Sequence, residues 1–200
     1  MQSKVAHKRG LRKIDAMNVL RFVGATAVTL IIAAILFLFG QEVGIRSVLF
    51  AFFSNFFLML WVHWLFRLVK PSLTSPYFEP KSFERGGWSY RSLGVVAFGK
   101  ILKALKWDKT GRRAQFDGSP ASIVMLENET RSAEAGHGII FLLMLGLALY
   151  VLARGWWDAA GWLTLFNFIF NAYPVMLQRY NRIRLVRIMQ RMNRRSKGAI

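Results

Sequence analysis

FNFIFNAYPVMLQRYNRIR, residues Phe166 to Arg184, opens as an apolar helix of membrane type and closes as a basic segment. Asn167, Asn171 and Gln178 lie inside its apolar part. An amide in hydrocarbon is costly, so these side chains are expected to face other protein. At 100° per residue, Asn167, Asn171, Pro174, Gln178 and Asn181 fall on one stripe of a helix. From Asn167 to Gln178 the stripe rises about 16 Å, roughly half the hydrocarbon core. Pro174 has no N–H for the carbonyl of Phe170, which predicts a kink there.

The whole chain repeats this pairing of apolar and basic character. It is 54% hydrophobic over 200 residues yet carries a formal net charge of +18. A soluble domain rarely combines the two, whereas a membrane protein with basic cytoplasmic surfaces does so naturally. Long uncharged runs also argue against nucleic acid as the partner. The absence of cysteine removes disulfides, thiolate metal sites and a cysteine acyl-enzyme, and with three histidines no metal site is expected.

Four runs approach the roughly 20 residues that cross a bilayer. They predict spans over about 17–40, 47–67, 136–155 and 160–178, in an all-α integral membrane protein built as one domain over 1–200. The first run has no small-residue cleavage pattern after it and is read as retained rather than as a signal peptide. The connectors between spans one and two and between three and four hold only Arg46 and Arg154 of the 28 lysines and arginines. The positive-inside rule therefore puts both termini in the cytoplasm, together with the segment 68–135 and a basic tail over 179–200. Within that segment, Pro71, Pro76 and Pro80 predict an extended or turning start. Val95, Phe98, Leu102 and Leu105 then recur at helical spacing, with Lys100, Lys103 and Lys106 on another face. This predicts a basic amphipathic helix on the inner leaflet, or one packed on the bundle. Asn128-Glu129-Thr130 matches a glycosylation acceptor but falls on the expected cytoplasmic side.

Glu134 and His137 stand three residues apart, on one side of a helix, at the mouth of the third span. The fourth span runs back to the same level with Gln178 and Arg179, and His63 near the end of the second span reaches it too. A histidine there can act as a general base, with Glu134 orienting it or binding substrate. The plain alternatives are amides that join helices, an interfacial His63 between tryptophans, and a Glu134–His137 pair that only starts a helix. No P-loop, dinucleotide fingerprint or nucleophile-elbow motif is present.

The stretches AEAGH (133–137) and NAYPVMLQRYNRIR (171–184) resemble the glycosyl diaponeurosporenoate acyltransferase family of staphyloxanthin-type carotenoid pathways. Members carry Glu-x-x-His before one span and Asn…Pro…Gln-Arg-Tyr-Asn-Arg at the end of the last. FGKILKALKWDK (98–109) resembles the family's basic, tryptophan-containing segment more loosely. The resemblance implies transfer of a fatty acyl group from a thioester donor to a hydroxyl of a lipid-soluble, glycosylated isoprenoid or carotenoid acceptor. It implies the bacterial inner (plasma) membrane as the location, with membrane lipids, the acyl donor and the acceptor as partners. No cofactor is expected beyond acyl-CoA as co-substrate. In such chemistry His137 would be the base, while Asn167, Asn171, Gln178, Asn181 and His63 would bind substrate or donate to the oxyanion. Arg179, Arg182, Lys100 and Lys103 would meet the donor phosphates, or serve only as cytoplasmic anchors. With neither cysteine nor serine elbow, direct attack on the thioester is expected rather than a covalent acyl-enzyme. The competing expectations are a non-catalytic accessory protein that holds anionic lipid or a partner complex on its basic face, and a small membrane enzyme of another transfer type.

Overall fold

The computed structural model describes the backbone of residues 2–105, 117 and 119–197, and the side chains of 16–105, 117 and 119–194. Every element among them is helical. Lys106 lies outside the described residues, as do the rest of the polar loop before Pro120 except Asp117 and Ser119, and the side chains of the N-terminal arm.

Helices α1 (Gln2–Val43), α2 (Val48–Val69), α5 (Pro120–Ala153) and the pair α6 (Trp157–Asn167) and α7 (Tyr173–Lys197) supply four stretches long and apolar enough to cross a membrane. Between α2 and α5 lie two 3₁₀ turns, Pro76–Phe78 and Ser82–Gly87, and the short helices α3 (Trp88–Ser92) and α4 (Val95–Ala104). The ends have local causes. Ser47 caps α2, accepting from the amide of Leu49, and Lys70 closes it in a left-handed conformation before Pro71. Ser119 caps α5, whose first position is Pro120.

Two helices run past the expected span ends. α5 begins at Pro120, before the span expected from residue 136, and runs unbroken through Glu134 and His137. α7 continues to Lys197, so the basic tail expected from residue 179 is helical as far as it is described. The predicted disturbance at Pro174 takes the form of one π turn over Phe168–Ala172, in which the amide of Tyr173 bonds the carbonyl of Phe168. The carbonyl of Phe170, which Pro174 deprives of its usual amide, lies against the ring of His137.

The apolar core joins α2, α5 and α6 through Ala51, Val62, Ile140, Met144, Val151 and Leu163. α1 packs against α2, where Trp61 donates to Thr29 at 3.0 Å. The two short connectors meet at one end of the bundle, where Arg46 holds Asp158 with two hydrogen bonds of 3.1 and 3.0 Å. At the other end α4 packs on α7: Val95 is buried with Tyr180 and Ile183, and Phe98 lies 5.1 Å from Tyr173. Lys100, Lys103 and Leu105 stay exposed.

α2 and α5 approach closely at Gly136, where an added Cβ would stand 2.9 Å from Val62 Cγ1. Gly136→Ala gains about 1 kcal/mol of helix propensity, but overpacking of this kind costs about 1–3 kcal/mol. We therefore expect Gly136→Ala to lower the thermal midpoint in detergent, and Val62→Ala in the same chain to recover part of the loss. Additive effects of the two changes would show that the helices do not meet here.

Candidate functional site

The last span meets α5 in two polar layers. The deeper one is made of amides. Asn171 is fully buried, and its amide nitrogen donates to Asn55 Oδ1 at 2.7 Å and to Asn167 Oδ1 at 2.9 Å. Asn167 donates to the carbonyl of Phe141 at 3.0 Å, and Asn55 to the carbonyl of Ala51 at 2.8 Å. The remaining polar atom of Asn171, Oδ1, stands 3.4 Å from His137 Nδ1. Both N–H groups of Asn171 face carbonyl oxygens, so Oδ1 can only accept and Nδ1 is the donor. The contact with Asn171 therefore places a proton on Nδ1. His137 itself is half-buried.

One turn along α5, toward the basic end, lies an ionic layer. Glu134 is buried and pairs with Arg179 through Oε1 at 2.8 Å and with Arg182 through Oε2. Arg182 is 1% exposed, its guanidinium lies over the ring of Phe78 at 5.4 Å, and its Nη1 has no hydrogen-bond partner among the described residues. Arg179 turns its Nε to Glu84 Oε1 at 2.6 Å and to the Tyr90 hydroxyl at 3.2 Å. Tyr90 donates to Glu84 Oε1 at 2.6 Å, and the amide of Lys81 donates to Oε2, also at 2.6 Å. Burial works to raise the Glu84 carboxyl, but the bonds from Tyr90, Lys81 and Arg179 outweigh it and hold the group below its ordinary value. Burial, together with the neighbouring carboxylate, pushes the Tyr90 hydroxyl up to about 12. Arg131 adds a flanking pair with Glu127 at 2.6 Å and donates to the carbonyl of Leu73 at 2.9 Å.

The structure thus brings together His137, Asn167 and Asn171 in one layer and Glu134, Arg179 and Arg182 in the next. It does not bring His63 in. The inward face of α2 is that of Asn55 and Val62, and His63 points outward, its ring 6.0 Å from that of Trp64. Glu134 does not orient His137, because both its oxygens face arginines. Arg182 is not open to a donor phosphate, because its own pairing buries it. Gln178 and Asn181 are half-buried. Lys100 and Lys103 stand on the exposed side of α4. Sequence reasoning missed Asn55, Glu84 and Tyr90. The rule that singled out Asn167 applies equally to Asn55, an amide in an apolar run. Nothing local marks Glu84, which reaches the site from a short 3₁₀ turn 95 residues from Arg179.

These features define a helical membrane protein whose last two spans share a histidine–amide layer and a buried ion cluster. Residues 74–191 match the model of the glycosyl-4,4'-diaponeurosporenoate acyltransferase family, and with more than half of its length matched the chain belongs to that family. Neither curated proteins nor solved structures give a match. The matched region contains every residue of both layers except Asn55.

Removing one partner of a buried ion pair strands the other charge and costs about 3–5 kcal/mol. Glu134→Ala leaves Arg182 without its carboxylate. It is expected to unfold at markedly lower temperature, while Lys103→Ala on the exposed face of α4 leaves the midpoint within a degree or two. Equal midpoints for Glu134→Ala and the parent protein would contradict the buried cluster.

Proposed function

We propose that the protein is a membrane acyltransferase that esterifies a hydroxyl of a glycosylated carotenoid with a fatty acyl group from a thioester such as acyl-CoA. The observation that carries this reading is the His137–Asn171 pair, with the imidazole proton directed to an amide oxygen and the other ring nitrogen left as a base. Family membership supplies the reaction class and the acceptor.

In this reading His137 Nε2 takes the proton of the sugar hydroxyl as its oxygen attacks the thioester carbonyl. The C–S bond then breaks, the ester C–O bond is retained, and the proton passes from His137 to the departing thiolate. Asn171 holds the ring in the required tautomer. It is not an oxyanion donor, since both its N–H groups face Asn55 and Asn167. Gln178 and Asn181, about 10 and 15 Å of helical rise closer to the basic end, bind the sugar or the donor. The exposed lysines of α4 attract an anionic donor and anionic lipid. The helix lies at the inner leaflet, with both termini in the cytoplasm of a bacterial cell and the Arg46–Asp158 end outside.

The rival reading is an accessory protein that uses its basic face to hold anionic lipid or a partner complex. It draws on one observation: Asn55, Asn167 and Asn171 satisfy one another, which is what simple helix-joining amides would do.

Turnover of acyl-CoA and a glycosylated carotenoid by the purified protein in nanodiscs separates the two. His137→Ala is expected to lower the rate about 10²–10⁴-fold without a change in thermal midpoint. Asn171→Leu should lower the rate and shift the acidic limb of the pH–rate profile. An inactive parent protein, or a fully active His137→Ala, would favour the accessory role.

Sidedness has its own test. Reporters fused at Lys109 and after Ile200 are expected to report the cytoplasm, and one placed between Gly155 and Gly161 the opposite side. Opposite signals from the first two would overturn the orientation.

A further inference from the structure

An open cavity of about 290 Å³ lies where α2 gives way to the segment before α5, lined by Lys70, Thr74, Asn128 and Ser132 over Phe66 and Leu73. Its walls are held in place. Lys70 ends α2 in the left-handed region, with φ 49° and its amide bonded to Phe66. The Leu73 carbonyl is fixed to α5 by Arg131, which Glu127 anchors in turn. Among the described residues, the side chains of Lys70, Asn128 and Ser132 make no hydrogen bond, and Thr74 makes one only to Ser72 at 3.3 Å. The lining therefore offers one cation, two hydroxyls, an amide and an apolar floor, with no carboxylate.

That set fits a particular ligand chemistry. One ammonium balances one negative charge, and neutral donors suit a group with several acceptor oxygens. Phe66 and Leu73 suit carbon attached next to that group. We propose that this cavity binds a phosphate ester at the membrane surface. The ester belongs either to an anionic phospholipid headgroup or to the acyl donor. The second source rests on the acyltransferase reading above. It is sterically reasonable there, since Ser132 lies five residues, about 7.5 Å of helical rise, from His137. Neither source involves the buried arginines, which are already paired.

The test measures binding rather than turnover, so it gives an answer even if the protein proves not to be an acyltransferase. Delipidated protein in detergent is titrated separately with dioctanoyl phosphatidylglycerol and with acyl-CoA. Lys70→Gly removes the ammonium and suits the left-handed backbone, so it keeps the end of α2 intact. Ser132→Leu fills the cavity from α5. Both are expected to weaken one ligand roughly tenfold, the loss of one charge-assisted contact, while Lys70→Arg retains most of the affinity. Weakening of the phospholipid alone identifies the headgroup, and weakening of acyl-CoA alone identifies the donor. The assignment is overturned if neither ligand responds to Lys70→Gly. It is equally overturned if Arg191→Gln, on the exposed side of α7, weakens binding as much, because the contact would then be a diffuse attraction to the basic surface.

Discussion

A carboxylate with both oxygens buried can exist at the edge of a membrane only if cations meet it, and Glu134 is met by two. Arg179 and Arg182 approach from α7, three residues apart, so that they fall on one face of that helix. The pairing fixes how far α7 can slide along α5 and how it can rotate. Glu84 completes the charge balance, giving two carboxylates for two guanidiniums, and without it the cluster would carry an excess positive charge in a low-dielectric site. Its segment, 76–90, consists of two 3₁₀ turns and the start of α3. Lys81, Tyr90 and Arg179 hold it by Glu84, and Arg187 holds it by the carbonyl of Gly86 at 2.6 Å.

The amide layer depends on that register. Three residues on from Glu134, His137 meets Asn171, and a slip of one residue on either helix would separate them. The third contributor, Asn55, comes from α2, which can approach because Gly136 offers no side chain against Val62. Interhelical hydrogen bonds in lipid are each worth only about 0.6–2 kcal/mol. The network therefore adds less to stability than the ion cluster does to register. Its main consequence is orientation: with two donors of Asn171 directed to Asn55 and Asn167, only its Oδ1 is left to face the imidazole.

The sequence revealed this arrangement where local rules apply. Runs without charge marked the spans, and a 100° rotation per residue placed Asn167 and Asn171 on one inward stripe, as found. The spacing of Glu134 and His137 put them on one face, also as found. What the periodicity could not reveal was which partner each side chain meets. Arginines at the end of a membrane helix read as surface anchors, because most are, and nothing within α7 marks Arg182 as buried. Its carboxylate is on another helix. His63 misled for the related reason that a helix face is set by its neighbours: Asn55 and Val62 turn inward, and His63, 100° farther round, is exposed. The π turn was legible only as a disturbance at Pro174. That the freed carbonyl of Phe170 would meet His137 depends on the α5–α7 register, and so on the ion cluster.

Polar groups along the final span thus differ in kind with depth. Deepest, Asn167 and Asn171 bond to other protein groups. Next, Arg179 and Arg182 are neutralised by carboxylates. At the same level Gln178 and Asn181 are only half-buried, and farther on Arg184 and Arg187 are exposed. His137 stands on the boundary, bonded on one side to the amide layer and itself half-buried. A catalyst joining a lipid-soluble hydroxyl to a water-borne thioester needs its base at such a boundary. A base fully inside would be closed to the donor, and one in the aqueous layer would have no rigid partner to hold its tautomer. The ion cluster supplies that rigidity: Glu134 is taken up by its two arginines, and under the proposed reaction His137 is the group left to act as base.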